Sequence, residues 1–167
     1  LDVPEVSETY ERASNEFRTA IETNPTHAPS WCGLGCAIVA KDPLLAQHAF
    51  CRCLQLEKMF PDAYSNVGFL YTSLRAFTAS ESVMSALTQV ADTPAMWMNR
   101  AFILERGVVD HLDKDPSRAE QDIAQAADAY RAALQVMKHP DAQLGLSLTG
   151  RMMAGEDALK DDKVRSL

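Results

Sequence analysis

Short apolar motifs recur along this chain at intervals of about 33 residues, and this periodicity constrains the fold more than any other feature of the sequence. The first motif places an aromatic residue three positions before an apolar residue and four before a small one. Its copies, which weaken along the chain, are Trp31/Leu34/Gly35, Tyr64/Val67/Gly68, Trp97/Arg100/Ala101 and Gln143/Leu146/Ser147. Such spacing puts the side chains on one face of a helix. Self-similarity at this period predicts an array of stacked repeats.

A second motif lies between the copies of the first. It has a small residue, a large residue four positions later and a small residue after three more. Its copies are Ala13/Phe17/Ala20, Ala46/Phe50/Cys53, Ala79/Val83/Ala86 and Ala126/Tyr130/Ala133; the first three keep the step of the first motif, and the fourth follows after a longer one. Small residues let two helices approach to about 8–10 Å, and the large residue fills the space beside that crossing. The two motifs therefore predict paired A and B helices, which bury their apolar faces only by stacking on neighbouring pairs.

Proline and capping residues mark the ends of the predicted helices. Asp42-Pro43 and Asp92-Thr93-Pro94 combine a capping side chain with proline in the first turn, and Thr26 or Ser30 is expected to cap the second helix. The predicted helices span residues 4–22, 27–40, 43–58, 62–74, 77–90, 94–106, 117–137 and 141–153, with Gly155 closing the eighth and a final helix from Glu156. We therefore expect an all-α solenoid of about eight or nine helices. The pattern runs from one end to the other, which predicts a single array over residues 1–167 and a longer parent protein.

An acidic segment, residues 107–117, lengthens the third full repeat. We expect a solvated loop, after which Asp115-Pro116 or Ser117 begins the next helix. Its aspartates do not form a calcium loop of the EF-hand type, because Arg118 and Ala124 stand where Gly and Glu are required. The segment is therefore interpreted as an acidic insertion loop inside the array.

Composition excludes several classes of protein. Apolar residues make up 47% of the chain and charged residues 23%, a balance typical of folded globular proteins. The net charge of −7 and the lack of a basic run argue against direct nucleic-acid binding, which needs clustered Lys and Arg. No apolar stretch is long enough for a transmembrane helix, and no signal-peptide pattern is present. We expect a cytoplasmic protein, with the nucleus as the alternative, that binds neither membranes nor small-molecule substrates.

The cysteines and histidines give no catalytic pattern. Cys32, Cys36, Cys51 and Cys53 are expected to be reduced, buried thiols. A zinc site with His48 as a further ligand is the alternative, but the spacing is not that of a zinc finger or zinc ribbon. The histidines lie near no nucleophile or metal motif, and glycine-rich phosphate loops are absent. We therefore predict no metal, no cofactor and no enzymatic activity.

Five residues of α-helical spacing resemble the consensus of the tetratricopeptide repeat; they are Trp31, Leu34, Gly35, Ala46 and Phe50. That consensus has an aromatic residue, Leu and Gly on helix A, and Ala, Phe and Ala on helix B. The resemblance covers about residues 10–153, and it implies a right-handed solenoid of helical hairpins that serves as a non-enzymatic scaffold for protein–protein interactions. The departures from the consensus are Arg100, Gln143 and the 107–117 insertion.

Three segments are similar to repeats of a narrower family, the large tetratricopeptide scaffold subunits of the superkiller complex. They are LAQHAFCRCLQLE, DAYSNVGFLYTSLRAFTAS and MWMNRAFILERG. Such scaffolds hold a helicase and β-propeller subunits together and serve the cytoplasmic exosome in RNA decay. The likeness implies a place in an RNA-decay complex.

The family resemblance also implies a binding surface, because the A helices of tetratricopeptide proteins line a concave groove. Carried over by position, the groove residues are Cys32, Cys36, Val39, Ser65, Phe69, Thr72, Met98, Phe102, Glu105, Leu144, Leu148 and Arg151. This face is mostly apolar and suits an extended peptide or a helix of a partner protein. The alternative is that the same residues pack against further repeats or an internal segment of the parent chain.

Two other functions remain as alternatives to the scaffold. One is a peptide-tail receptor of the chaperone-adaptor kind, which clamps carboxylates with Lys, Asn and Arg. Cys32 and Cys36 occupy two of the clamp positions, which disfavours this function, and Asn66 and Asn99 are expected to be structural. The other is the non-catalytic repeat arm of a larger enzyme such as a glycosyltransferase.

Overall fold

The computed structural model describes residues 4–154, with side chains from Ser7 onward. Regular structure in this range is entirely α-helical, which confirms the predicted all-α class. The eight helices of the range are α1 (Pro4–Thr23), α2 (Ala28–Ile38), α3 (Pro43–Leu56), α4 (Pro61–Ser73), α5 (Phe77–Leu87), α6 (Pro94–His111), α7 (Pro116–Val136) and α8 (Pro140–Met153). The chain divides after Val90 into unit 1, which contains α1–α5, and unit 2, which contains α6–α8. The predicted helix end at Gly155 and the helix from Glu156 lie outside the described residues.

Helices α3, α6 and α7 begin at the prolines that the sequence signals predict, and their predicted caps are present. The side chains of Asp42, Thr93 and Asp115 accept hydrogen bonds from backbone N–H groups in the first turns of α3, α6 and α7. The cap of α2 is different from its prediction, since His27 holds the N-cap position and makes no side-chain capping bond. The side chain of Ser30 instead forms a hydrogen bond with Nδ1 of His27. Local capping chemistry therefore marks the starts of α3, α6 and α7.

Successive helices of unit 1 pack against one another, and α2 also contacts α4. The contact between α2 and α3 depends on a glycine, because a Cβ atom on Gly35 would overlap the ring of Phe50. Phe50 is 1% exposed and shares a core with Leu34, Ala46 and Val67. The predicted combination of a small A-helix residue and a large B-helix residue is therefore found at this crossing.

The buried face of α5 is shifted by one position from its prediction. Ala79 and Ala86 are exposed, whereas Ser80, Met84 and Leu87 are buried. The buried trio keeps the spacing of the α3 motif, but each member lies one position later than the predicted copy. The sequence offers a small residue at the start of either register, and packing on α4, where Ser80 donates a hydrogen bond to Gly68, selects the later one.

Unit 2 is built on two long helices, α6 and α7, and α8 packs against α7. The 107–117 segment is not the predicted loop, because α6 continues to His111, α7 begins at Pro116, and only residues 112–115 connect them. The helix continues because its apolar face does: Gly107 and Val108 are buried, and Val108 packs in a small core with residues of α7. The insertion therefore lengthens a helical hairpin.

Candidate functional site

Unit 1 contains six of the predicted groove residues, and they differ in exposure. Cys36 is exposed on α2. The half-buried members are Val39, Ser65, Phe69 and Thr72. Cys32 is only 6% exposed and belongs to the core, so its side chain presents no surface to a partner. The predicted face of unit 1 is therefore narrower than the sequence suggests.

An asparagine joins α4 to α2 at the centre of this face. Nδ2 of Asn66 lies 3.2 Å from Sγ of Cys36 and 3.6 Å from Sγ of Cys32, and it donates hydrogen bonds to both thiols. An amide group has two N–H donors, so the two bonds can form at once. We call Cys32, Cys36 and Asn66 the thiol–amide cluster. It connects two helices that are not consecutive in the chain, as stacked hairpins require.

The pKa values of the two thiols in the cluster are shifted in opposite directions. The hydrogen bond donated by Cys32 lowers the pKa of Cys36 to about 7, and the amide of Asn66 acts in the same direction. Burial and the carboxylate of Asp62 oppose this lowering. The same hydrogen bond to Cys36, together with burial, raises the pKa of Cys32, and burial raises that of nearby Cys53 to about 11. The exposed thiol is therefore the acidic member of the group.

Thr72 faces α5 as well as the predicted groove. Its hydroxyl donates to the carbonyl oxygen of Gly68 at 2.9 Å and lies 2.8 Å from the hydroxyl of Ser80. Ser80 is fully buried and also donates to Gly68, at 2.8 Å. These polar groups satisfy one another where α4 and α5 approach closely. Thr72 therefore holds the hairpin together, a role that the groove assignment does not include.

The α2 and α4 helices present an almost uncharged surface. Neither helix contains Lys, Arg or His, and the only acidic residue of the two is Asp62, in the first turn of α4. A second neutral hydrogen bond, from Nε2 of Gln47 to the hydroxyl of Tyr71 at 2.8 Å, joins α3 to α4. A ligand on this face would meet thiols, hydroxyls, amides and apolar groups.

The predicted groove residues of unit 2 also differ in their exposure and in their contacts. Met98 packs against the core of α6, α7 and α8, whereas Phe102 is 37% exposed. Glu105 forms a hydrogen bond with Tyr130 of α7, and burial raises the pKa of both groups. On α8, the surface positions are Leu144 and Arg151, and the half-buried one is Leu148. Glu105 therefore takes part in packing between helices.

A buried charge cluster in unit 2 was not predicted. Asp122 of α7 is 2% exposed, and its Oδ2 lies 2.9 Å from Nδ1 of His111. Nε of Arg118 lies 3.2 Å from its Oδ1, an ion pair without the alignment of a hydrogen bond. Gly107 packs beside the carboxylate. We call Asp122, His111 and Arg118 the charge cluster. Its signal in the sequence is a carboxylate on the alanine-rich stripe that α7 buries.

Comparison with known proteins gives no relative: no protein-family model matches the chain, and neither does any curated protein. Within residues 4–154, no group of three or more His, Cys, Asp and Glu side chains is arranged to hold a metal ion. None of the described helices has both the length and the apolar character to cross a membrane.

Proposed function

We propose that this chain is a non-enzymatic protein-interaction module of the tetratricopeptide type, which binds a partner along α2 and α4. The observation that carries the proposal is the direct contact of these two A helices through the thiol–amide cluster. Alternate helices touch when hairpins stack side by side, and such stacking creates the extended surfaces that repeat proteins use for binding. The contact places Cys36 next to the helix that carries Phe69.

Two features of unit 1 support the tetratricopeptide type. The aromatic ring of Phe50 covers Gly35, as the consensus pairing of A and B helices implies. The buried motifs of α3 and α5 repeat after about 34 residues, which is the length of a tetratricopeptide unit. The spacing and the contact type of the unit-1 hairpins therefore support the proposed type.

The chemistry of the α2–α4 face favours a neutral, partly apolar partner segment. Without a cation on either helix, the face has no group that would bind a terminal or side-chain carboxylate tightly. This argues against the peptide-tail receptor as the alternative function. A helix or an extended peptide with apolar anchors would pack on Phe69 and Val39, both of which are half-buried.

Site-specific photo-crosslinking tests the proposal. A photoreactive amino acid replaces Phe69 on the predicted face in one variant and Gln55, an exposed residue of α3, in the matched control. We expect position 69 of the tagged protein to capture a discrete partner in cell extract and position 55 to capture none. Equal capture at both positions, or none at either, would contradict a binding role for this face.

The partner class follows from the narrower resemblance and is part of the same proposal. A scaffold related to the superkiller subunit would co-purify with a helicase or with exosome subunits. If the protein purified from its native cells brings down neither a helicase nor an exosome subunit, the RNA-decay assignment is wrong. The proposal of an interaction module is not affected by that result. A catalytic domain on the same polypeptide would support the repeat arm of an enzyme instead.

A further inference from the structure

Four residues form a stripe along one side of α8, outside the set that this helix buries. The stripe residues are Asp141, Leu144, Leu148 and Arg151. Their spacing of three, four and three positions is that of a coiled-coil seam. Leu144 is 60% exposed, both charged residues are exposed, and Leu148 is half-buried. We call these four residues the α8 stripe; the buried residues of the helix are Ala142, Gly145 and Thr149.

The α8 stripe is symmetric about position 146 in apolar character and antisymmetric in charge. The two leucines lie two positions before and after it, and the carboxylate and the guanidinium lie five positions before and after it. Because a helix rises about 1.5 Å per residue, these two charges are about 15 Å apart and cannot pair within one helix. In an antiparallel pair of α8 helices, Asp141 of each copy lies opposite Arg151 of the other, and Leu144 lies opposite Leu148. The stripe is therefore self-complementary, as a twofold interface between identical chains requires.

We propose that two copies of this chain associate through their α8 helices, packed antiparallel along the α8 stripe. Charge complementarity identifies the occupant of the stripe as a second copy. A partner needs a cation opposite Asp141, a carboxylate opposite Arg151 and apolar side chains between them, and α8 itself has this arrangement at the matching spacing. Oδ2 of Asp141 lies 3.7 Å from Nδ1 of His139, but the aspartate side chain is still 76% exposed, so a guanidinium of the second copy can reach it.

The proposed dimer is weak and depends on salt. One contact between two helices buries less than about 1,200 Å², the lower limit of a standard stable interface. Its ion pairs lie at the exposed ends of the contact, where salt screens them. We therefore expect a monomer at micromolar concentration and a dimer as the concentration approaches about 1 mM. The proposed partner surface lies on α2 and α4 of unit 1, so this inference and the proposed function can fail independently.

Charge swaps on the α8 stripe test the proposal by sedimentation equilibrium of the chain at concentrations up to about 1 mM. Asp141→Lys and Arg151→Glu each place like charges opposite one another twice in the dimer, and each should weaken association by about tenfold. The doubly swapped variant restores both pairs and should associate as the wild type does. An equimolar mixture of the two single variants should also associate, because both ion pairs of the mixed dimer are attractive.

Matched controls make the same changes of charge away from the stripe. Asp128→Lys and Arg131→Glu alter an exposed pair on α7 and should leave association unchanged. A wild type that stays monomeric at about 1 mM overturns the proposal, and so does a mixture of the single variants that associates no better than either alone. A cation in the first turn of α8 is unfavourable, so Asp141→Lys can fail to fold, which circular dichroism would show. In that case unchanged association of both Leu144→Ser and Arg151→Glu overturns the proposal.

Discussion

Unit 1 and unit 2 pack their hairpins in the same way but connect their helices with different polar chemistry. In each unit a B-helix aromatic ring covers an A-helix glycine, Phe50 on Gly35 and Tyr130 on Gly145. Among α2, α3, α4 and α5 of unit 1 the polar connections are neutral, through amide, thiol and hydroxyl groups, and the Lys41–Glu11 ion pair, which joins α1 to the turn after α2, is exposed. Those of unit 2 include the charge cluster and the Glu105–Tyr130 pair. The apolar crossing is therefore shared, and the polar connections are specific to each unit.

The difference follows from the length of the hairpins. The extra turns at the end of α6 and the start of α7 lengthen this hairpin, and the charge cluster lies among them. A buried ion cluster contributes little net stability over a well-packed apolar group, yet removing one partner leaves the others unpaired. Unit 2 should therefore tolerate changes of charge less well than unit 1. The chain has one tryptophan in each unit, so Trp97→Phe and Trp31→Phe backgrounds report on unit 1 and unit 2 separately.

The largest effect is expected at the shared apolar crossing. Phe50→Ala should lower the free energy of unfolding of unit 1 by about 3–5 kcal/mol, because it removes a fully buried ring from above a glycine. Leu44→Ala on the same helix is the matched control, since Leu44 is 76% exposed, and it should cost less than about 0.5 kcal/mol. Urea unfolding followed by Trp31 fluorescence measures both. Similar losses in the two variants would show that the ring does not hold this crossing.

The second effect tests the ionic connection of unit 2. Asp122→Ala should destabilise this unit by about 3 kcal/mol, near the lower limit for breaking a buried pair, since His111 and Arg118 can regain some water. The control is Asp128→Ala, which breaks an exposed pair with Arg131 on the same helix and should cost about 0–1 kcal/mol. Urea unfolding followed by Trp97 fluorescence compares them. Equal losses would remove the distinction between the two units.

The third effect tests a neutral connection of unit 1. Ser80→Ala should cost about 1 kcal/mol, because the Gly68 carbonyl keeps its hydrogen bond from Thr72. Ser82 bonds an exposed backbone carbonyl within α5, so Ser82→Ala should be nearly neutral. Both are read from Trp31 fluorescence. A loss at Ser80 as large as that at Asp122 would mean that the neutral and ionic connections are equivalent.

Local signals in the sequence predict the helices better than they predict the faces. Asp42, Thr93 and Asp115 cap helices because capping needs only near neighbours. The register of α5 could not be predicted, because Ala79 and Ser80 both satisfy the motif and only packing on α4 chooses between them. The aspartates of residues 107–117 suggested a loop, but the apolar face of α6 continues into this segment at Gly107 and Val108.

The contact between α2 and α4 could be predicted from the sequence, but the side-chain contacts that make it could not. Repeat spacing placed Cys36 and Phe69 on neighbouring A helices, and α2 does contact α4. The spacing could not show that Cys32 is buried or that Asn66 reaches its thiol, because both depend on the distance between α2 and α4. A charged residue on an otherwise apolar helix face, such as Asp122 on α7, indicates a buried ionic cluster. The repeat motifs contain no such residue, so they did not predict this cluster.

The smallest predicted effect concerns Glu105, and it should depend on pH. Burial raises the pKa of this carboxyl in the folded protein, so the folded state holds the proton more tightly than the unfolded chain does. Stability from this group is complete below the ordinary glutamate pKa of about 4.3 and is lost as pH rises through the folded value. Glu105→Gln cannot ionise and can still accept the Tyr130 hydrogen bond. It should therefore be more stable than the wild type at pH 7, by about 0.5–1 kcal/mol.

The pH series contains its own control, because this advantage should vanish near pH 3, where the wild-type carboxyl is protonated in both states. Tyr130→Phe removes the hydrogen bond that opposes the raised pKa of Glu105, so the loss of stability between pH 4 and 7 should become steeper. Urea unfolding of unit 2 at several pH values, read from Trp97 fluorescence, measures both variants. A Gln variant that is less stable than the wild type at pH 7 would show that the ionised carboxylate stabilises unit 2. Glu105 would then be one of the ionic connections of this unit.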